Sequence, residues 1–284
     1  MEKIDIIIPF LFVDEKLFFT LQSVYPFLNN KINSCICIND GFDDNPIEYK
    51  KKKEILFYNY EGNKGVSFAR NYGLQKSSSK FVLFLDSGDQ FLNISNLNSN
   101  YDIINFNHFN ENNKLIDYKD ISKSNIIRSL IWGEAKFWIC SIIFKRSWLI
   151  QFDLNFKEGI SWGEDVDFIL RNILLGAEIG FNNTVLVKKI DDFNSLSVDA
   201  AKSTTKDIIR YFLFNSLNEI KKNKEINIFL SNFIIAIIYR DSKLKFLYFS
   251  QKDREFYYNR IDLKSLKLSI FIKYVYLKII LWTQ

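Results

Sequence analysis

Four short apolar runs, each closing on polar residues, set the strongest limit on how this chain folds. They read "KIDIIIPF" (3–10), "SCICIND" (34–40), "EILFYN" (54–59) and "KFVLFLDSGDQF" (80–91). Runs this short, apolar without strict alternation, predict strands buried on both faces, as in a parallel sheet. Between them lie stretches at helical spacing. Leu17, Leu21, Val24 and Leu28 mark one, and "VSFARNYGLQKS" (66–77) is another. Strand–helix alternation of this kind predicts a doubly wound α/β sheet. Ligands of such sheets sit beyond the carboxyl ends of the strands. Two of the runs end there in acids, "IND" and "LDSGD".

The pattern loosens after residue 100. "YDIINFNHFN" predicts a further strand, and 120–150 mixes helix and strand signals. "GEDVDFILRNILLG" (163–176) predicts a helix, with Val166, Phe168, Ile169, Ile173 and Leu174 as its apolar stripe. Glu164, Asp165 and Asp167 crowd its first turn, where the helix dipole favours negative charge. "EIGFNNTVLVKKI" predicts a late strand, and the pattern from 200 onward is mostly helical.

Composition removes several alternatives. The 284 residues are 48% hydrophobic with 10 glycines and 3 prolines, which implies a packed chain rich in regular structure. Three cysteines make no disulfide framework; Cys35 and Cys37 fall on one face of a strand, and the expected compartment is reducing. "MEKIDIIIPF" is not a signal peptide, and no window reaches about 18 unbroken apolar residues, so the expectation is a cytoplasmic chain. A single histidine, His108, excludes His-rich metal sites and argues against a Ser-His-Asp triad. "EGNKG" lacks the full phosphate-binding P-loop pattern. Charge is uneven: the net is −4 over 1–200 and +9 over 201–284. A basic tail predicts an anionic partner.

The motifs in order resemble the inverting nucleotide-sugar glycosyltransferases of family 2, bacterial surface-glycan type. "IIIPF", "INDGFDD", "NKGVSFARNYGL", "LFLDSGD" and "GEDVDF" carry the resemblance, with "NSLSV" (194–198) downstream. It spans about residues 3–198 and implies a GT-A fold: a Rossmann-like, mixed but mostly parallel sheet with flanking helices. Residues 1–198 would form the catalytic domain and 199–284 a basic, aromatic-rich helical extension.

What the resemblance implies for the site is specific. Asp165 is the expected general base, and Glu164 its neighbour that orients the acceptor. Asp40, with Asn39, is expected to hold a uracil. Pro9, Phe10, Lys64, Arg70, Asp86 and Ser87 complete the nucleotide site. Trp162 is either a sugar platform or a core residue. Asp86 and Asp89 are the expected ligands of a divalent cation, Mn²⁺ or Mg²⁺, on the donor diphosphate. Here the chain departs from the pattern: Gly88 stands where the third residue of Asp-x-Asp would be. Phe10-Leu11-Phe12 also replaces a polar stretch after Pro9.

The implied partners are a UDP-sugar and a glycan or lipid-linked saccharide acceptor, as in lipooligosaccharide or capsule synthesis, with a hexosyl or N-acetylhexosaminyl group transferred. For 201–284 two readings stand: contact with an anionic inner membrane surface, or packing as a helical subdomain or homodimer contact. No RNA or DNA motif accompanies the basic tail, so no nucleic-acid partner is expected. Two rival functions remain, a sugar nucleotidyltransferase and a non-catalytic sugar-nucleotide or membrane-binding partner of a glycan synthase. "PFLFVDEK" lacks the Gly-rich basic loop of the first, and Gly88 keeps the second open.

Overall fold

A computed structural model describes residues 2–41, 52–118, 137–159 and 164–190. All belong to the first of two units into which the chain divides, Met1–Val198; the second, Asp199–Gln284, lies outside the described residues, and so does the expected helical extension.

The first half alternates as the sequence predicts. Strand β1 (Ile4–Phe10) leads to helix α1 (Glu15–Val24), capped by the Asp14 carboxylate on two first-turn N–H groups. Strands β2 (Ile32–Asn39) and β3 (Ile55–Asn59) follow, then helix α2 (Val66–Lys76) and strand β4 (Phe81–Phe84). These strands lie parallel in the order β3-β2-β1-β4. The order reverses between β1 and β4, which opens a crevice at their carboxyl ends. Pro9 is tolerated in central strand β1 because β4 pairs only as far as Ile7; beyond it, Pro9 has a partner on the β2 side alone. Helix α2 lies close on the sheet at Gly73, where a Cβ would stand 2.3 Å from the Ile7 side chain.

The second half corrects a purely doubly wound picture. The run 80–91 is not one strand: Gly88, at φ +105°, turns the chain, and β5 (Gln90–Phe91) leaves to pair antiparallel with a late strand. After β6 (Ile103–Phe109) and the short β7 (Leu115–Ile116) come β8 (Ile142–Lys145) and helix α3 (Arg146–Gln151). Helix α4 (Glu164–Leu174) and strand β9 (Ile179–Lys188) complete the described chain. β8 lies antiparallel between β4 and β6, and β6 runs parallel to β9. The sheet is therefore mixed, in the order β3-β2-β1-β4-β8-β6-β9-β5, with β7 beside β6.

One aromatic cluster matters for the site. Phe84 of β4, Phe144 of β8, Phe168 of α4 and Phe156 pack together, Phe156 stacked on Phe168 at 4.0 Å between ring centroids. The cluster anchors α4 beneath the carboxyl end of β4, so its acidic first turn arrives at the crevice.

Candidate active site

The crevice is assembled around helix α2. Asp40, just past β2, is buried, and one of its carboxylate oxygens accepts three hydrogen bonds. The donors are the Tyr60 hydroxyl, Lys64 N–H at 2.9 Å and Gly65 N–H at 3.1 Å. Gly65 gives α2 no side-chain cap, and Asp40 from another strand accepts the N–H of this N-cap residue and of Lys64 before it. Burial, reinforced by the hydrogen bond to Asp40, pushes the Tyr60 phenol well above its ordinary pKa and keeps it a donor. Asn39 accepts from Gly41 N–H at 2.9 Å, an Asx turn that fixes the exit from β2.

Arg70 lies one turn into α2 and is 3% exposed. It donates to Asp86 at 2.7 Å and to Glu164 at 2.9 Å, and its guanidinium lies 5.1 Å from the Phe156 ring. Burial alone would lower its pKa; the two acids more than reverse that, so the charge is secure. Asn71 adds a two-way amide clamp: it donates to Phe156 O at 2.8 Å and accepts from Phe156 N–H at 2.7 Å. The sequence "ARN" thus ties the turn after β4, the segment at Phe156 and the start of α4 into one wall.

The three acids of "GEDVDF" divide the work. Glu164 meets Arg70, and Asp167 is buried and paired to Arg171 at 2.8 Å. Asp165 is half-buried in the same first turn. Trp162 lies outside the described residues.

Other expected residues land differently. Pro9 is buried in β1, and Phe10 is 3% exposed with its ring edge-on to Phe57, so its ring belongs to the core. Lys64 faces Asp40 with its backbone; its ammonium lies 4.5 Å from the centre of the Phe68 ring. Ser87 is half-buried in the turn after β4. Tyr60 had no distinguishing signal in the sequence, because a lone Tyr carries no spacing pattern.

Asp86, Asp89 and Cys140 bring one donor atom each within 4.8 Å of one another. That is close enough to surround a cation, but the donors suit a hard ion poorly. Asp89 is 7% exposed and accepts Ile190 N–H at 3.0 Å. Cys140 offers a soft sulfur, which is not a Mg²⁺ or Mn²⁺ ligand of choice. Gly88 supplies no side chain. Asp86 remains, with one oxygen already on Arg70.

No protein-family model matches the chain. An uncharacterized glycosyltransferase of Rickettsia bellii (strain RML369-C) is 36% identical over 96 residues, which is 32% of this chain and 14% of that relative. The poly(ribitol-phosphate) beta-N-acetylglucosaminyltransferase TarP of Staphylococcus aureus (strain N315) is 26% identical over 245 residues, 78% of this chain and 72% of TarP. The chain is a glycosyltransferase homologue. Its fold agrees: the crystal structure of S. aureus TarS 1–349 in complex with UDP-GlcNAc superposes with a TM-score of 0.66 at 16% identity. That match covers 94% of this chain and 82% of the TarS fragment. The sheet is the expected GT-A type, Rossmann-like with flanking helices.

Proposed function

We propose that this chain is an inverting glycosyltransferase that moves a sugar from a UDP-sugar to a hydroxyl of a glycan acceptor. The observation that carries this reading is the Arg70 bridge. It joins Asp86, at the end of β4, to Glu164, in the turn that holds Asp165. A donor-binding edge and a candidate base thereby share one wall.

The chemistry is a single displacement. The acceptor oxygen attacks the anomeric carbon as the bond from that carbon to the β-phosphate oxygen breaks. The bonding pair leaves with UDP, and the acceptor proton passes to Asp165. Attack opposite the leaving group inverts the configuration. Glu164, held by Arg70 at 2.9 Å, orients the acceptor. Asp40 and Asn39 hold the uracil beside Pro9 and the Lys64 backbone, with Asp86 and Ser87 on the ribose–diphosphate side. Trp162 is assigned to acceptor binding in this scheme, and residues 201–284 to contact with an anionic membrane that carries a lipid-linked acceptor. The relatives' named substrates make UDP-GlcNAc the first donor to try.

The test is UDP release from UDP-GlcNAc with and without candidate acceptors. Asp165→Asn should lower turnover by about 10²–10⁴-fold, the usual worth of general-base help. UDP affinity should change less than about threefold, because the base contributes to the transition state and not to nucleotide binding. Unchanged turnover in Asp165→Asn removes the base. Tight UDP binding with no turnover in the wild type favours the rival reading, a non-catalytic sugar-nucleotide binder.

A further inference from the structure

The acidic turn after β4 carries no side chain at the position where a metal-holding acid is expected, and the structure shows what stands there instead. Gly88 sits at φ +105°. A Cβ built on it would find three carbons of Lys16 as its nearest neighbours: Cβ at 3.7 Å, Cδ at 3.8 Å and Cγ at 3.9 Å. The Lys16 stem lies along the direction that a side chain at 88 would take.

This placement is fixed by helix α1. Thr20, one turn beyond Lys16 on the same face, accepts from Gly88 N–H at 2.9 Å and donates to Asp89 O at 2.8 Å. Thr20 is buried and pins the helix to the turn at both groups. Lys16 is exposed, in the first turn of α1, where Asp14 accepts its backbone N–H. The lysine stem is thus held at the switch point of the sheet, over the turn that follows Asp86.

We infer that Lys16 is a diphosphate-binding residue and that its ammonium supplies the positive charge usually brought by a divalent cation. The inference rests on the glycosyltransferase reading and deepens it. Three observations meet in it: the missing side chain at 88, the lysine stem over that gap, and a donor set that suits a hard ion poorly. An ammonium is a compact point charge with three donors, suited to phosphate oxygens. Placed on the departing diphosphate, it stabilises charge that grows as the sugar leaves. Donor binding and turnover then proceed in the absence of metal.

The test uses the full chain, stripped of metal with EDTA, and isothermal titration with UDP and with UMP. Wild type should bind UDP in EDTA, and added Mn²⁺ should change that affinity less than about twofold. Lys16→Ala should weaken UDP at least tenfold, about 1.4 kcal/mol. It should weaken UMP less than threefold, and Lys16→Arg should restore most of the UDP affinity. An unchanged melting temperature of the Ala variant checks the fold, as an exposed helical Lys→Ala should give. UDP affinity in wild type that rises tenfold or more with Mn²⁺ overturns the inference. So does a Lys16→Ala variant that binds UDP like wild type. Those outcomes leave the glycosyltransferase reading standing; failure of wild type to bind UDP in any buffer would remove that reading itself.

Discussion

Arg70 is the residue on which most of the site converges. It is nearly excluded from solvent and neutralises two acids that arrive from positions 86 and 164. A lysine offers one point of charge and no planar fork, so it cannot serve both carboxylates at these distances. Arg70→Ala should destabilise the fold by roughly 1–3 kcal/mol, chiefly because it leaves Glu164 without its partner, while the more exposed Asp86 is screened by water. Thermal or urea unfolding measures that. Arg70→Lys should fold and bind UDP but lose at least tenfold in turnover, because Glu164 is no longer held. Turnover at the wild-type level in Arg70→Lys would show that the bridge is purely structural.

At the scale of elements, the sheet is secured at the end opposite the site. Asp5 of β1 is fully buried. Its carboxylate accepts Ser77 and Ser79 hydroxyls, Ser78 and Ser79 N–H groups, and the Asn33 amide. These bonds fasten the α2–β4 loop to the amino ends of β1 and β2. Burial alone would raise its pKa; the Ser79, Asn33 and Ser78 hydrogen bonds outweigh it, and the net shift is downward. A depressed folded pKa contributes stability above the unfolded value near 4 that is lost as pH falls through the folded value. Wild-type stability should therefore drop below about pH 4. Asp5→Asn should cost roughly 2–4 kcal/mol at pH 7 and less at pH 3. Equal loss at both pH values would contradict the assignment. Much of this architecture was legible in the sequence. The runs at 3–10, 34–40 and 54–59 became β1, β2 and β3, because buried parallel strands need unbroken apolar character. The first-turn acids of "GEDVDF" likewise marked the start of α4. The break at Gly88 was not legible: "FVLFLDSGDQF" is apolar enough for one strand, and only the pairing of β5 with β9 takes the chain away. Lys16 was also hidden, since its role depends on a gap 72 residues downstream and a turn that Thr20 holds.

Over the whole molecule, charge falls into two zones. Residues 1–200 carry a net −4 and include the acidic crevice, while 201–284 carry +9. Among the described residues no helix is long and apolar enough to cross a membrane. The proposed role of the basic segment is peripheral contact with anionic lipid, worth about 1 kcal/mol per lysine or arginine near the surface and screened by salt. Full-length protein should float with phosphatidylglycerol liposomes at low salt and release at high salt; a chain ending at 198 should stay at the bottom. Equal flotation of both forms would end that proposal. The central claim is narrower and concerns one crevice, with nucleotide on one side of Arg70 and the base on the other. The most direct measurement is a crystal structure with UDP. The account predicts uracil beside Asp40, the diphosphate within about 3 Å of the Lys16 ammonium, and the Asp165 carboxylate facing the open side of that diphosphate. UDP bound elsewhere, or Asp165 turned away from the crevice, would contradict it.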